Sequence, residues 1–280
     1  MIKQRKPRMA ICYDFDGTLA PGNMQEYDFI PQLKMKTKQF WDEVAARAKK
    51  QEADKIITYM CLMLEKATSS NDVEITRKAF ADYGKTVDFH PGVEQWFQRI
   101  KKFAKKNGII LEHYIISSGI REMISGTSIA TQFKEIFASS FMYDQHGVAK
   151  WPGLALNYTT KTQFLFRINK GYLNVWDDRK INTYIPRQQR RIPFTRMIYI
   201  GDGSTDVPCM KLVKDQGGYS IAVYKPNSWK RKEAERLLRE DRVNFAVPAD
   251  YRQRKLLDIQ VKAIIKKIAA DFKLQKLEHK

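Results

Sequence analysis

Apolar positions along this chain fall into two alternating kinds of run. Short β-branched and aromatic runs alternate with longer stretches whose apolar residues recur at three- and four-residue spacing. The first short run, Met9-Ala10-Ile11-Cys12-Tyr13, reads as a buried strand that Gly17, Pro21 and Gly22 close off. From about 24 to 87 the pattern is helical and no strand interrupts it. Phe40, Trp41, Val44, Ala45 and Ala48 form one stripe; Ile56, Ile57, Met60, Met63 and Leu64 form another; Val73, Ile75, Ala79 and Phe80 form a third. Pro91-Gly92 opens a helix through Trp96, Phe97, Ile100 and Phe103 that stops at Asn107-Gly108. A second strand over 111–116 runs into Ser117-Ser118-Gly119. Residues 136–158 read as short strands around a turn at 144–147, and Thr160-Lys161-Thr162-Gln163 starts a helix that ends at Lys170-Gly171. The polar, arginine-rich segment 174–193 reads as a mobile loop or inserted turn. Residues 197–200 form a third buried strand, and further strands over 219–223 and 244–247 alternate with a charged helix at 228–240 and a final helix. In that last helix Leu257, Val261, Ile264, Ile265, Ile268 and Phe272 make one apolar stripe.

Strands that alternate with helices predict an α/β fold with a Rossmann-like, doubly wound, mainly parallel sheet. The uninterrupted helical block predicts a small all-helical cap domain at 23–87, inserted into a core domain made of 1–22 and 88–280.

Composition narrows this. The 280 residues are 43% hydrophobic and 29% charged, the balance of a globular chain with a full core. No apolar run approaches the ~18 residues that span a membrane. The basic start, Met1-Ile2-Lys3-Gln4-Arg5-Lys6, is followed by too short an apolar run for a signal peptide. Cys12, Cys61 and Cys209 are scattered and form neither a zinc spacing nor a disulfide framework, which fits a reducing cytoplasm. The net charge of +19 favours anionic partners: phosphorylated substrates, nucleic acid or an acidic surface.

The chemistry is concentrated at strand ends, where open α/β sheets bind ligands. Asp14 and Asp16 are two residues apart and aim to one side of the first strand's end. Two acids placed together are costly unless a cation or a reaction uses them. Asp14 is positioned as a carboxylate nucleophile towards phosphorus, and Asp16 as the acid that protonates the leaving oxygen and then activates water. Asp202 and Asp206, in a Gly-Asp-Gly loop after the third strand, suit a hard cation such as Mg²⁺; the loop also suits a helix cap. The Ser117 hydroxyl, with the N–H groups that follow it, is placed to hold a phosphate oxygen. Lys161 stands in the first turn of a helix, where a cation opposes the helix dipole and points to a task, whereas Lys170 at the same helix's other end is favoured by the dipole and remains its rival.

The order acid pair, serine, lysine, acid pair resembles the haloacid dehalogenase (HAD) superfamily of aspartate-nucleophile hydrolases. The residues that carry the resemblance are Asp14-Phe15-Asp16-Gly17-Thr18, Ile115-Ile116-Ser117-Ser118-Gly119, Lys161 and Gly201-Asp202-Gly203-Ser204-Thr205-Asp206. Within the superfamily the chain is similar to the phosphoserine-phosphatase-like branch, with its helical cap just after the first motif. The resemblance implies a Mg²⁺-dependent phosphomonoesterase that forms a phospho-aspartate. It implies Asp14, Ser117 and Lys161 at the reaction, Asp14, Asp202 and the Asp16 main-chain carbonyl at the metal, and Thr18, Ser118, Gly119, Gly203 and Asp206 in support. An acid at Asp16 fits phosphatases rather than dehalogenases. The interval from Lys161 to Asp202 is lengthened by 174–193, and no cap residues match those that would grip a phosphorylated amino acid.

The expected substrate is a small phosphorylated metabolite. Two alternatives compete. One is a nucleic-acid end phosphate, motivated by Arg187, Arg190, Arg191 and Arg196. The other is a non-catalytic protein at an anionic surface, motivated by the basic amphipathic last helix. Trp41, Lys34, Lys36 and Glu26 are the cap residues expected to face the substrate.

Overall fold

The predicted first strand, β1 (Arg8–Tyr13), lies in the middle of the sheet, and Met9 to Tyr13 are wholly buried. The computed structural model describes residues 6–278, apart from residues 71 and 227 and the side chains of 188, 276 and 278. The basic residues 1–5, considered above as a targeting segment, lie outside the described residues.

β1 pairs in parallel with β2 (Ile110–Ile120) on one side and with β5 (Met197–Gly201) on the other. Outside β2 lies the parallel β3 (Glu135–Tyr143), whose antiparallel hairpin partner β4 (Ala149–Leu154) closes that edge. Outside β5 lie β6 (Tyr219–Tyr224) and β7 (Phe245–Pro248), both parallel. The order β4-β3-β2-β1-β5-β6-β7 makes a mainly parallel, doubly wound sheet. The chain builds outward from β1 in one direction and then in the other, so the C-terminal ends of β1, β2 and β5 flank the topological switch point.

The two-residue period of β1 sorts its side chains between two layers. Met9, Ile11 and Tyr13 join a core with α5 (Val93–Lys106) and α10 (Leu256–Glu278). Ala10 and Cys12 join a second core with α7 (Tyr158–Lys170), α8 (Val207–Asp215) and α9 (Lys230–Arg239). In α10, Leu257, Val261, Ile264, Ile265 and Ile268 are buried in the first core, so packing accounts for this stripe. Among the described residues no helix is long and apolar enough to cross a membrane.

Between β1 and α5 the chain forms α1 (Phe29–Gln32), α2 (Thr37–Gln51), α3 (Lys55–Thr68) and α4 (Arg77–Gly84). The stripes of Phe40, Val44 and Ala48 and of Met60 and Met63 are buried, and their apolar interior is continuous with the first sheet core. Asp54 caps α3, accepting from the N–H groups of Ile56 and Ile57 at 2.8 and 3.0 Å, and its other oxygen takes the amide of Asn157, the N-cap of α7.

One expectation fails within this segment: Val73 and Ile75 are not helical. Thr76 is the N-cap of α4, its hydroxyl accepting from Ala79 N at 3.0 Å, so the helix starts after it. Ile75 O accepts from Ala149 N and Arg77 N donates to Gly147 O, joining the extended 73–76 stretch to the β3–β4 hairpin. That hairpin supplies backbone partners no local period could reveal. The remaining short helix, α6 (Arg121–Gly126), directly follows β2.

Candidate active site

Parallel pairing brings Asp14, Ser117 and Asp202 to the same end of the sheet: Asp14 and Asp202 directly follow β1 and β5, and Ser117 stands at the break in register near the end of β2. A cavity of about 530 Å³ opens there. Its floor includes Asp14, Asp16, Ser117, Ser118, Asp202 and Gly203, and helices α2 and α3 form its roof.

Asp14 is 5% exposed, and its Oδ1 lies 3.2 Å from the ammonium of the wholly buried Lys161. Lys161 also donates to Asp206 Oδ1 at 2.8 Å and to Thr205 Oγ1 at 3.2 Å. Lys170, the rival, is at the far end of α7, where its ammonium binds the carbonyls of Ile181 and Thr183 and ties down the 174–193 segment. Geometry therefore places Lys161, not Lys170, at the acid cluster. Burial alone would lower the Lys161 pKa, but Asp14 and Asp206 outweigh it and raise it.

The carboxylates respond in kind. Burial, and then the neighbouring Asp206, push Asp14 well above the usual carboxylate range against the pull of Lys161. Burial raises Asp202 too, opposed first by Lys230. Asp16 is pushed up to about 7 by burial, although its Oδ1 accepts from Met24 N at 2.9 Å. Independently of these shifts, four carboxylates, Asp14, Asp16, Asp202 and Asp206, gather here around two ammonium groups, Lys161 and Lys230, a surplus of negative charge.

This surplus is the test of fit for a metal. Asp14, Asp202 and Asp206 each offer a buried carboxylate oxygen, all within 4.8 Å of one another. Oδ1 of Asp14 is buried and accepts no hydrogen bond. Both oxygens of Asp206 are engaged: Oδ1 by Lys161 and by the Tyr199 hydroxyl at 2.8 Å, Oδ2 by Gly203 N at 3.3 Å. Asp14 and Asp202 line the cavity and Asp206 does not, which makes them the better-placed ligands even though Lys230 pairs with Asp202 Oδ2, and an all-oxygen set suits a hard divalent cation. Asp206 orients Lys161 and the loop.

Glycines make the close approaches possible. Gly17 has φ +76°, and a Cβ there would lie 2.1 Å from Asp202 Oδ2. At Gly119 a Cβ would lie 2.8 Å from Asp16 Oδ2. Ser117 is wholly buried and accepts from Gly119 N at 3.1 Å; it sits inside β2, which continues to Ile120 after a break in register, rather than at the strand's end. Ser118 lines the cavity with a buried hydroxyl that has no partner. The hydroxyl of Thr18 points to Asp202 Oδ1 at 3.5 Å, and its carbonyl accepts from Tyr251.

Sequence reasoning missed three residues. Lys230, at the start of α9, pairs with Asp202 Oδ2 and lines the cavity. It is far from Asp202 in sequence and carries no motif. Thr205 and Tyr199 hold Lys161 and Asp206; a hydroxyl within the otherwise apolar β5 was the one available signal for Tyr199. Of the expected roof residues, Trp41 lines the cavity and Glu26 bonds to it, whereas Lys34 pairs with Asp72 at the surface and neither it nor Lys36 lines the cavity. Two arginines of the nucleic-acid alternative, Arg191 and Arg196, lie at the other end of the sheet, and none of its four lines the cavity. Arg196 precedes β5, and Arg191 is held by Glu112 near the start of β2.

A model of the family "HAD: haloacid dehalogenase-like hydrolase" matches residues 11–211. An uncharacterised protein of Borreliella burgdorferi is 28% identical over 276 residues, covering 89% of this chain and 94% of that protein. Among solved structures, a HAD family hydrolase from Salmonella enterica serovar Typhi superposes with a TM-score of 0.56 at 16% identity, covering 91% of this chain and 70% of that one. A substrate-bound phosphoserine phosphatase does so with a TM-score of 0.56 at 12% identity, covering 91% and 98%. With motifs in family order, the family match over most of its length and a sheet of the same fold as phosphoserine phosphatases, the chain belongs to the haloacid dehalogenase-like hydrolases.

Proposed function

We propose that the protein is a phosphomonoester hydrolase that works through a phospho-aspartate on Asp14, with a small phosphorylated metabolite as substrate. The observation that carries this reading is the buried Asp14 carboxylate on the cavity floor, beside the Lys161 ammonium and close to a second cavity-lining carboxylate, Asp202. A Mg²⁺ ion held by Asp14, Asp202 and the Asp16 main-chain carbonyl would supply positive charge that neutralises and orients the phosphoryl group.

Asp14 attacks phosphorus, forming a carboxylate-oxygen–phosphorus bond as the ester P–O bond breaks. Asp16 gives its proton to the departing alkoxide. Its raised pKa, about 7, keeps a protonated fraction available near neutral pH. Water then attacks the phospho-aspartate, Asp16 takes the water's proton, and phosphate leaves with Asp14 restored. Lys161 balances the charge on Asp14 and the phosphoryl oxygens, and Ser117 holds one of those oxygens. The 23–87 segment serves as the cap that covers the substrate and limits the entry of water.

Asp14→Asn keeps the shape and removes the nucleophile. Turnover of benzyl phosphate should fall by about a thousandfold or more, and chelation with EDTA should abolish it until Mg²⁺ is restored. Activity retained by the variant would reject the nucleophile, and activity retained after chelation would reject the metal.

A further inference from the structure

Opposite the acids, the cavity roof has its own chemistry. Trp41, Val44, Ile56 and Tyr59 form an apolar wall, Gln25 sits among them, and Lys55 stands at the rim. The aromatic pair is pinned. The Trp41 indole donates to Glu26 Oε1 at 2.7 Å and meets Phe40 and Tyr59 edge-on, with ring centroids 5.2 and 5.7 Å apart. Tyr59 in turn donates to Ser118 O at 2.6 Å. A wall held from several sides presents flat apolar surface with little ordering cost on binding.

Two polar atoms on this roof lack partners among the described residues. Gln25 is 2% exposed; its side chain meets the Tyr59 hydroxyl, but its Oε1 accepts no hydrogen bond. A buried, unsatisfied carbonyl oxygen is costly unless a ligand completes it. The exposed Lys55 ammonium has no hydrogen bond or ion pair among the described residues. Among the described residues the acids that line the cavity, Asp14, Asp16 and Asp202, all lie on the floor, and the nearby Glu26 accepts through Oε1 from Trp41 and, at 2.6 Å, from Asn23.

Resting on the phosphatase reading, we propose that the substrate is a phosphomonoester whose leaving alcohol carries a planar ring and a second anionic group. The ring lies against Trp41 and its aliphatic neighbours, Lys55 takes the anion, and Gln25 accepts from a donor on the ring's substituents. Phosphoserine, with an ammonium to satisfy and no ring, fits this roof poorly.

The test compares kcat/KM for ethyl phosphate, O-phosphoserine, benzyl phosphate and 4-carboxybenzyl phosphate. All four are esters of primary alcohols, which keeps their intrinsic reactivities comparable. Benzyl phosphate should exceed ethyl phosphate and phosphoserine at least about tenfold, and the carboxylate should add about fivefold more. Trp41→Ala should collapse the benzyl-to-ethyl ratio, and the surface change Lys55→Gln should collapse the carboxybenzyl-to-benzyl ratio. Equal or better turnover of phosphoserine or ethyl phosphate overturns the inference and leaves the phosphatase reading standing. Ratios that survive both substitutions overturn the assignment to this roof. Turnover of none of the four overturns the phosphatase reading itself, and the inference with it.

Discussion

Lys161 is the residue on which the site balances. It is wholly buried, and its ammonium is the shared counter-ion of Asp14 and Asp206. A buried cation of this kind has no water to fall back on, and neither have its partners. Lys161→Met keeps most of the side chain's volume but leaves two buried carboxylates facing each other. The expected loss is about 3–5 kcal/mol of stability together with all phosphatase activity. Urea unfolding would measure it, and a variant as stable as the parent would show that the acids do not depend on this lysine. Sequence reading found Lys161 through a mismatch: a cation at the wrong end of a helix dipole. That mismatch favours Lys161 over Lys170 but leaves Lys170 a rival, because which end of α7 meets the acids depends on tertiary placement.

At the scale of elements, β1, β2 and α5 are joined by a buried polar chain. Trp96 Nε1 donates to the Tyr13 hydroxyl at 2.8 Å, and that hydroxyl is 3.0 Å from His113 Nδ1. The Tyr13 hydroxyl thus bridges the indole N–H and a neutral imidazole. Burial pushes the His113 pKa from the ordinary 6.5 down to about 3. Because the folded value is the lower one, the unfolded chain binds the proton first. His113 thus contributes full stability above about pH 6.5, and the contribution is lost as pH falls towards 3. Between about pH 7.5 and 5.5 this amounts to about 1.4 kcal/mol. His113→Gln should lose that much less stability than the parent over this interval. Equal losses in the two proteins would remove His113 as the cause. Element types were largely readable because apolar periods of two and near 3.6 reflect which faces are covered. The exceptions follow the same logic: 73–76 became extended and β2 ran on to Ile120 because neighbouring backbone offered partners.

For the whole molecule, the net charge of +19 acts on stability as well as on partners. Much of it is borne by solvent-exposed lysines and arginines, whose mutual repulsion salt screens over about 8–10 Å. The thermal midpoint should therefore rise by a few degrees, roughly 2–5, between about 20 and 200 mM NaCl. A midpoint that falls would mean that ion pairs such as Arg47 with Glu43 and Glu65 outweigh the repulsion. The same charge does not mark the site. Of the arginines that prompted a nucleic-acid reading, Arg191 and Arg196 lie at the sheet's opposite end and none lines the cavity, which presents three aspartates, Lys55 and Lys230.

By itself the sequence determined the sheet class, its helical insertion and the acids at the strand ends. Those features are written in local periods and in short motifs whose residues must sit within a few positions of one another. Tertiary structure alone decided which lysine reaches Asp14, that Asp206 is consumed by Lys161, Tyr199 and Gly203, that Lys230 meets Asp202, and what lines the roof. Each of these depends on the meeting of segments far apart in the chain, where strand order and helix placement set the distances. A local pattern fixes which way a side chain points from its own element, but not what another element brings to meet it.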